Sequence, residues 1–105
     1  MKSKVFTLYI IHKNGQILLG YKKRGLGAFK YNGFGGKLLA SESISCCALR
    51  ELQEECSISP IDGRFIALLI FNIFGERWYV HLFKAEDYQG QIMESDEMRP
   101  EWFPQ

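Results

Sequence analysis

The chain has 105 residues, room for one domain spanning 1–105 with a modest core. Its apolar (47%) and aromatic (14%) content argues against a disordered chain, and a net charge of +1 offers no global field to a nucleic-acid polymer or an anionic membrane. Neither is therefore expected as a partner, and any phosphate recognition has to be local. The three cysteines, Cys46, Cys47 and Cys56, are odd in number and lack C-x-x-C spacing. That excludes a disulfide framework or a zinc site and suits a reducing, cytoplasmic setting. The opening MKSKVFTLYIIHKNG breaks at His12-Lys13 without a small-residue cleavage site, so no signal peptide is read, and no apolar run reaches membrane-spanning length.

Val5 to Ile11, rich in β-branched and aromatic residues, predicts a strand. Lys13-Asn14-Gly15 predicts a hairpin turn, and Gln16 to Tyr21 the returning strand. Lys22 to Lys30 is basic and glycine-containing, an exposed loop. Tyr31-Asn32-Gly33-Phe34-Gly35-Gly36-Lys37 is glycine-dense, suited to close backbone approach, with a short strand expected over Lys37 to Leu39. Ser41 or Ser43 can cap the following helix.

That helix is expected from Ile44 to Cys56, with Ile44, Ala48, Leu49, Leu52 and Cys56 on its apolar side. Glu51, Glu54 and Glu55 fall at i, i+3 and i+4, so three carboxylates share one arc bordering the core. Like charges so spaced repel, and a hard divalent cation would reverse the sign of that interaction. Cys46 and Cys47 read as small packing residues rather than nucleophiles. Beyond Pro60, Arg64 to Phe74 and Trp78 to Lys84 predict a second hairpin turning at Gly75-Glu76-Arg77. His12 and His81 read as structural or surface histidines. Ala85 to Gly90 is expected as polar loop, Gln91 to Arg99 carries a second acidic cluster, and Pro100 to Phe103 begins another strand.

In register, Gly36, Glu42, Arg50, Glu51, Leu52, Glu54, Glu55 and Ile58 match the signature G-x5-E-x7-R-E-U-x-E-E-x-G-U, where U is bulky and apolar. The chain thereby resembles the Nudix hydrolases. Thr7-Leu8, Lys22-Lys23-Arg24-Gly25, Asn32 to Lys37 and Glu94 to Pro100 are similar to the MutT-type enzymes of animals, which hydrolyse oxidised purine nucleoside triphosphates such as 8-oxo-dGTP. The resemblance implies an α/β fold with a mixed β-sheet and the signature helix on one side. It implies that the Gly36 carbonyl and the carboxylates of Glu51, Glu54 and Glu55 hold Mg²⁺, with Mn²⁺ as the substitute. Glu97 adds a ligand or orients water. Glu42 and Arg50 brace the helix against the loop. Thr7 and Asn32 line the base pocket, Phe71 and Met98 supply its apolar walls, and Lys22 contacts phosphate. The implied reaction is hydrolysis of a nucleoside triphosphate to monophosphate and pyrophosphate, in the cytoplasm with mitochondrial or nuclear pools besides.

Two departures stand out. Ser57 replaces the signature's glycine, at a position suited to the left-handed conformation that ends many helices. The implied family domain also continues past Trp102-Phe103 with a base-reading segment and a C-terminal helix, whereas this sequence ends at Gln105. A missing helix would leave a sheet face uncovered and prone to self-association. The alternative function is therefore a catalytically impaired Nudix-like protein that binds nucleotide or a protein partner. A non-enzymatic module with a merely solvated acidic face is the remote third reading.

Overall fold

The computed structural model describes residues 2–25 and 27–105. Nine strands and one helix follow in order: β1 (Lys2–Lys13), β2 (Gln16–Lys22), β3 (Tyr31–Asn32), β4 (Phe34–Lys37), α1 (Ile44–Cys56), β5 (Ser59–Ile61), β6 (Arg64–Ile73), β7 (Glu76–Ala85), β8 (Asp87–Gln89) and β9 (Met98–Pro104).

β1 is the axis of the fold. Along it Thr7, Tyr9 and Ile11 are buried while the residues between them are less so, the period-two pattern of a strand with one covered face. One edge of β1 pairs antiparallel with β2 and β4. The other pairs in parallel with β7, from Lys2↔Glu76 to Ile11↔Ala85. β6 adds antiparallel to β7, and β3 and β9 both pair with β2. The result is the mixed sheet that the resemblance implies, with strand order β3-β2-β1-β7-β6 and α1 on one side. Tyr9, Ile11, Phe83 and Ala85 from the sheet and Ala48, Leu52 and Cys56 from α1 form one core.

The helix bounds follow from its caps. Ser43 is the N-cap, accepting a hydrogen bond from the Cys46 N–H, while Ser41 lies outside in a left-handed turn (φ 65°). At the other end Ser57 adopts φ 66° and donates its N–H to the Gln53 carbonyl. Serine pays a steric penalty in that conformation that glycine does not. Ser57→Gly is therefore expected to raise stability by about 0.5–1 kcal/mol, read as a higher midpoint in urea at unchanged slope.

The structure corrects several expectations. Leu49 is exposed, and Cys47 and Glu55 take places on the buried side. The covered face centres on Ala48, Leu52 and Glu55, which rotates Leu49 outward. Cys47 is a packing residue as expected, but Cys46 is exposed. The expected strand over Lys37 to Leu39 lies earlier, at Phe34–Lys37, because Gly35 can press against β1. A Cβ there would lie 1.7 Å from the Thr7 carbonyl oxygen. The loop expected over Ala85 to Gly90 contains β8, which pairs with β5. The second hairpin turns at Phe74-Gly75, both at positive φ. His81 is half-buried against Phe65, consistent with a structural role.

Candidate active site

The helix and β4 bring the acidic residues together. Glu51 and Glu55 lie one turn apart on the side of α1 facing β4. Glu55 is 4% exposed, and its carboxylate accepts the Gly35 N–H at 2.7 Å. Gly36 has its Cα against the Glu51 carboxylate, and a Cβ there would lie 2.6–2.7 Å from its atoms. Glycine at this position is thus what lets the Glu51 carboxylate pack against the β4 backbone. Glu54 differs. It lies on the outer side of the arc and is more than half exposed.

Arg50 ties these groups to the preceding loop. Its Nε and Nη2 donate to the two oxygens of Glu42 at 2.6 and 3.1 Å, a bidentate fork. Its Nη1 donates to Glu51 at 2.7 Å and to both Glu54 oxygens at 3.2 Å, and its Nη2 reaches the Lys37 carbonyl at 3.4 Å. Glu42 also accepts the Leu39 N–H at 3.1 Å. The loop from Lys37 to Glu42 is thereby pinned to the middle of the helix. Beside the guanidinium the Glu42 carboxyl is held down to about 2, and Arg50 is raised in turn.

The two inner glutamates have the opposite electrostatics. Burial pushes the Glu55 carboxyl up to about 8, and the nearby Glu51 and Glu97 add to the rise; the Gly35 N–H offsets only part of it. Glu51 is also raised, chiefly by burial, with Arg50 pulling the other way. A carboxyl so buried holds its proton unless a cation offsets the charge.

Two cavities meet at these residues. One, of about 320 Å³, is lined by Arg24, Glu51, Glu54, Glu55, Ser95, Asp96 and Glu97. The other, of about 530 Å³, is mostly apolar, and Glu51, Glu55 and Glu97 form part of its wall as well. Its remaining wall includes Thr7, Lys22, Asn32, Phe71 and Met98 together with Phe6, Leu69 and Trp78.

The NUDIX domain model matches residues 1–105. This chain belongs to the Nudix family. It is 47% identical over 103 residues to the oxidized purine nucleoside triphosphate hydrolase of Danio rerio and 42% identical to that of Mus musculus. In each case the alignment covers 96% of this chain and 66% of the relative, so the chain spans just under two thirds of their length. Among solved structures it resembles the MutT Nudix hydrolase of Burkholderia pseudomallei (TM-score 0.89, 24% identity, covering 99% of this chain and 84% of that one). It also resembles the MutT protein of Bacillus halodurans (TM-score 0.79, 28% identity, covering 96% and 68%). The first of these likenesses bears on the fold.

Divalent cations are the general cofactor of Nudix hydrolases, and the donor set of this Nudix chain suits one. Five carboxylates of hard oxygen line one small cavity, two of them with pKa raised by burial. Among the described residues, no three acidic, His or Cys side chains already converge as closely as an ion requires. The Arg50 guanidinium, bridging Glu51 and Glu54, occupies one side of the cluster.

Of the residues singled out from the sequence, Glu51, Glu54, Glu55 and Glu97 line the acidic cavity, and Thr7, Lys22, Asn32, Gly36, Phe71 and Met98 the larger one. Thr7 is only 1% exposed and its hydroxyl lies 3.5 Å from the Cys47 sulfur, so it offers the cavity little polar surface. Sequence reasoning did not single out Phe6 or Trp78. Their rings sit 4.7 Å apart, and the Trp78 indole N–H donates to Glu76 at 3.1 Å. The available signal was the alternation of Phe6 with Thr7. The pairing of β1 with β7 that joins Phe6 to Trp78 is parallel, and no local sequence pattern encodes it.

Proposed function

We propose that this chain catalyses Mg²⁺-dependent hydrolysis of purine nucleoside triphosphates, oxidised ones among them, to monophosphate and pyrophosphate, with Mn²⁺ able to substitute. The observation that carries this reading is the shared wall. Glu51, Glu55 and Glu97 belong at once to a small acidic cavity and to a large apolar one, the arrangement that a ligand with a polyanionic tail and a flat apolar head requires. The likeness to relatives named oxidized purine nucleoside triphosphate hydrolases supports it.

In this reading the Gly36 carbonyl and Glu51, Glu54 and Glu55 hold the metal, with Glu97 as a further ligand or water-orienting group. When bound, the ion neutralises phosphate charge and lowers the pKa of water. Lys22 contacts the phosphates. Water attacks an internal phosphorus, its proton passes to a carboxylate of the acidic cavity, and the bridging P–O bond breaks with its electrons leaving on pyrophosphate. Arg50 and Glu42 hold the glutamates in place and exchange no proton. The base lies in the apolar cavity against Phe6, Phe71, Trp78 and Met98, within reach of Asn32.

Trp78→Ala is expected to raise KM for purine triphosphates roughly tenfold with kcat little changed, the scale of one lost base–aromatic stack. Steady-state kinetics on the two proteins check it. The reading as a whole is tested by a panel of purine and pyrimidine triphosphates, oxidised and not, with Mg²⁺, with Mn²⁺ and with chelator. Turnover that needs metal and favours purines supports it; a folded sample inert toward the whole panel removes it. A second reading, nucleotide binding without turnover, draws on the Arg50 bridge to Glu51 and Glu54. If the guanidinium keeps both carboxylates, Mg²⁺ leaves the melting temperature unmoved while nucleotide still raises it.

A further inference from the structure

β6 is an end strand of the sheet, and β7 is its one partner among the described residues. Edges of this kind are usually guarded by lysine, proline, a bulge or short length. Here the strand runs ten residues as RFIALLIFNI, without proline and with one charge, Arg64, which is ion-paired to Glu86 at 3.4 Å. Its bulge lies near the start, between Phe65 and Ala67, leaving the rest in regular register with β7.

Both faces of the strand are apolar and open. Phe65, Leu68 and Ile70 are exposed on the side of the sheet that carries α1, and Leu69 and Phe71 on the other; Ile70 is 54% exposed. At about 200 Å² for a large apolar side chain, half-exposed, these residues offer on the order of 500 Å² per copy. Pairing at the edge covers the seam-side flanks of these side chains on both copies and satisfies the strand's open backbone groups.

We propose that β6 is a self-association edge, at which two copies of this chain pair β6 to β6 antiparallel about a two-fold axis and join their sheets. The edge is self-complementary. Any antiparallel register within Ala67–Phe71 sets apolar side chains opposite apolar ones, with no like charges facing. The two-fold contact is isologous and uses the same strand from both copies, so it closes at two. The larger cavity lies partly against this strand through Leu69 and Phe71, but the pairing requires no nucleotide and no turnover.

Analytical ultracentrifugation over the micromolar range tests it. The wild type is expected as a reversible dimer. Ile70→Lys, a guard placed on the edge, is expected as a monomer with unchanged circular dichroism. Phe74→Lys, in the adjoining turn where the ring is 97% exposed, is expected to remain a dimer. A wild type that sediments as a monomer at every concentration would overturn the proposal. So would a dimer that persists in Ile70→Lys, or open-ended polymers.

Discussion

Glu55→Gln is expected to lower metal-dependent turnover by on the order of 10²–10⁴ and, in the same protein, to raise stability without metal at pH 8. The two effects have one cause. The carboxyl is buried against Gly35 with Glu51 and Glu97 close by, which lifts its pKa to about 8 in the folded chain, against a usual value of 4.5 unfolded. The native state therefore holds a proton that the unfolded state has released. A raised carboxyl contributes stability that is complete below the unfolded pKa and is lost as pH climbs through the folded one. Metal-free stability should fall between pH 4.5 and 8 and level off above that. Glutamine removes the charge and keeps an oxygen for the Gly35 N–H, so the variant should be on the order of 2–4 kcal/mol more stable than wild type at pH 8 and equal to it near pH 4. Mg²⁺ should reverse the wild-type slope, raising the melting temperature most where the carboxylate is ionised, and should leave the variant nearly unchanged. Thermal melts at pH 4, 6 and 8, with and without metal, check all of this. A wild type whose metal-free stability rises from pH 5 to 8 would contradict it.

The second large effect belongs to Arg50. Its guanidinium reaches five partners, Glu42, Glu51, Glu54, the Lys37 carbonyl and the Cys47 sulfur, and its side chain is 25% exposed. Removing it strands a Glu51 already raised by burial and unpins the loop from Lys37 to Glu42 that follows Gly36. Breaking a buried pair from one side costs about 3–5 kcal/mol, and partial solvent access discounts that. Arg50→Ala is expected to cost about 2–3 kcal/mol, a fall in melting temperature on the order of 10 °C for a domain of this size. Arg50→Lys should recover little, since an ammonium cannot reproduce the fork on Glu42. Adding Mg²⁺ should recover a larger share, because a cation then returns to Glu51 and Glu54. Differential scanning calorimetry on the three proteins measures it. A loss below about half a kcal/mol would mean the bridge is a solvated surface contact.

Much of this architecture was legible in the residues. The helix from Ile44 to Cys56 follows from its serine cap and apolar spacing, and both hairpins from Asn14-Gly15 and Gly75 between β-type runs, although the second turn begins at Phe74 rather than at Gly75. The Glu42–Arg50 brace followed from the resemblance, and the structure supplies its bidentate geometry. What could not be read depends on tertiary contact. Tyr31 to Lys37 reads as a glycine-dense stretch suited to close backbone approach, but what it approaches is defined only once β1 is placed beside it. Then Gly35 and Gly36 become positions where only a missing Cβ permits the contact. Helical spacing puts Glu51, Glu54 and Glu55 on one arc, but it does not say that Glu55 turns inward and Glu54 outward. That depends on how α1 rolls against β4. The aromatic wall at Phe6 and Trp78 needs the parallel pairing of β1 with β7, between segments far apart in sequence. Self-association was expected from an uncovered sheet face; the pairing proposed above places it at the edge of β6, where apolar residues on both faces break the alternation of a half-buried strand.

The most direct measurement is the product analysis of a purine nucleoside triphosphate incubated with the protein and Mg²⁺. Nucleoside monophosphate and pyrophosphate in equal amounts, formed by the wild type, absent with chelator and absent with Glu55→Gln, are the expected result. Nucleoside diphosphate with orthophosphate, or no metal-dependent product from a folded sample, would contradict it.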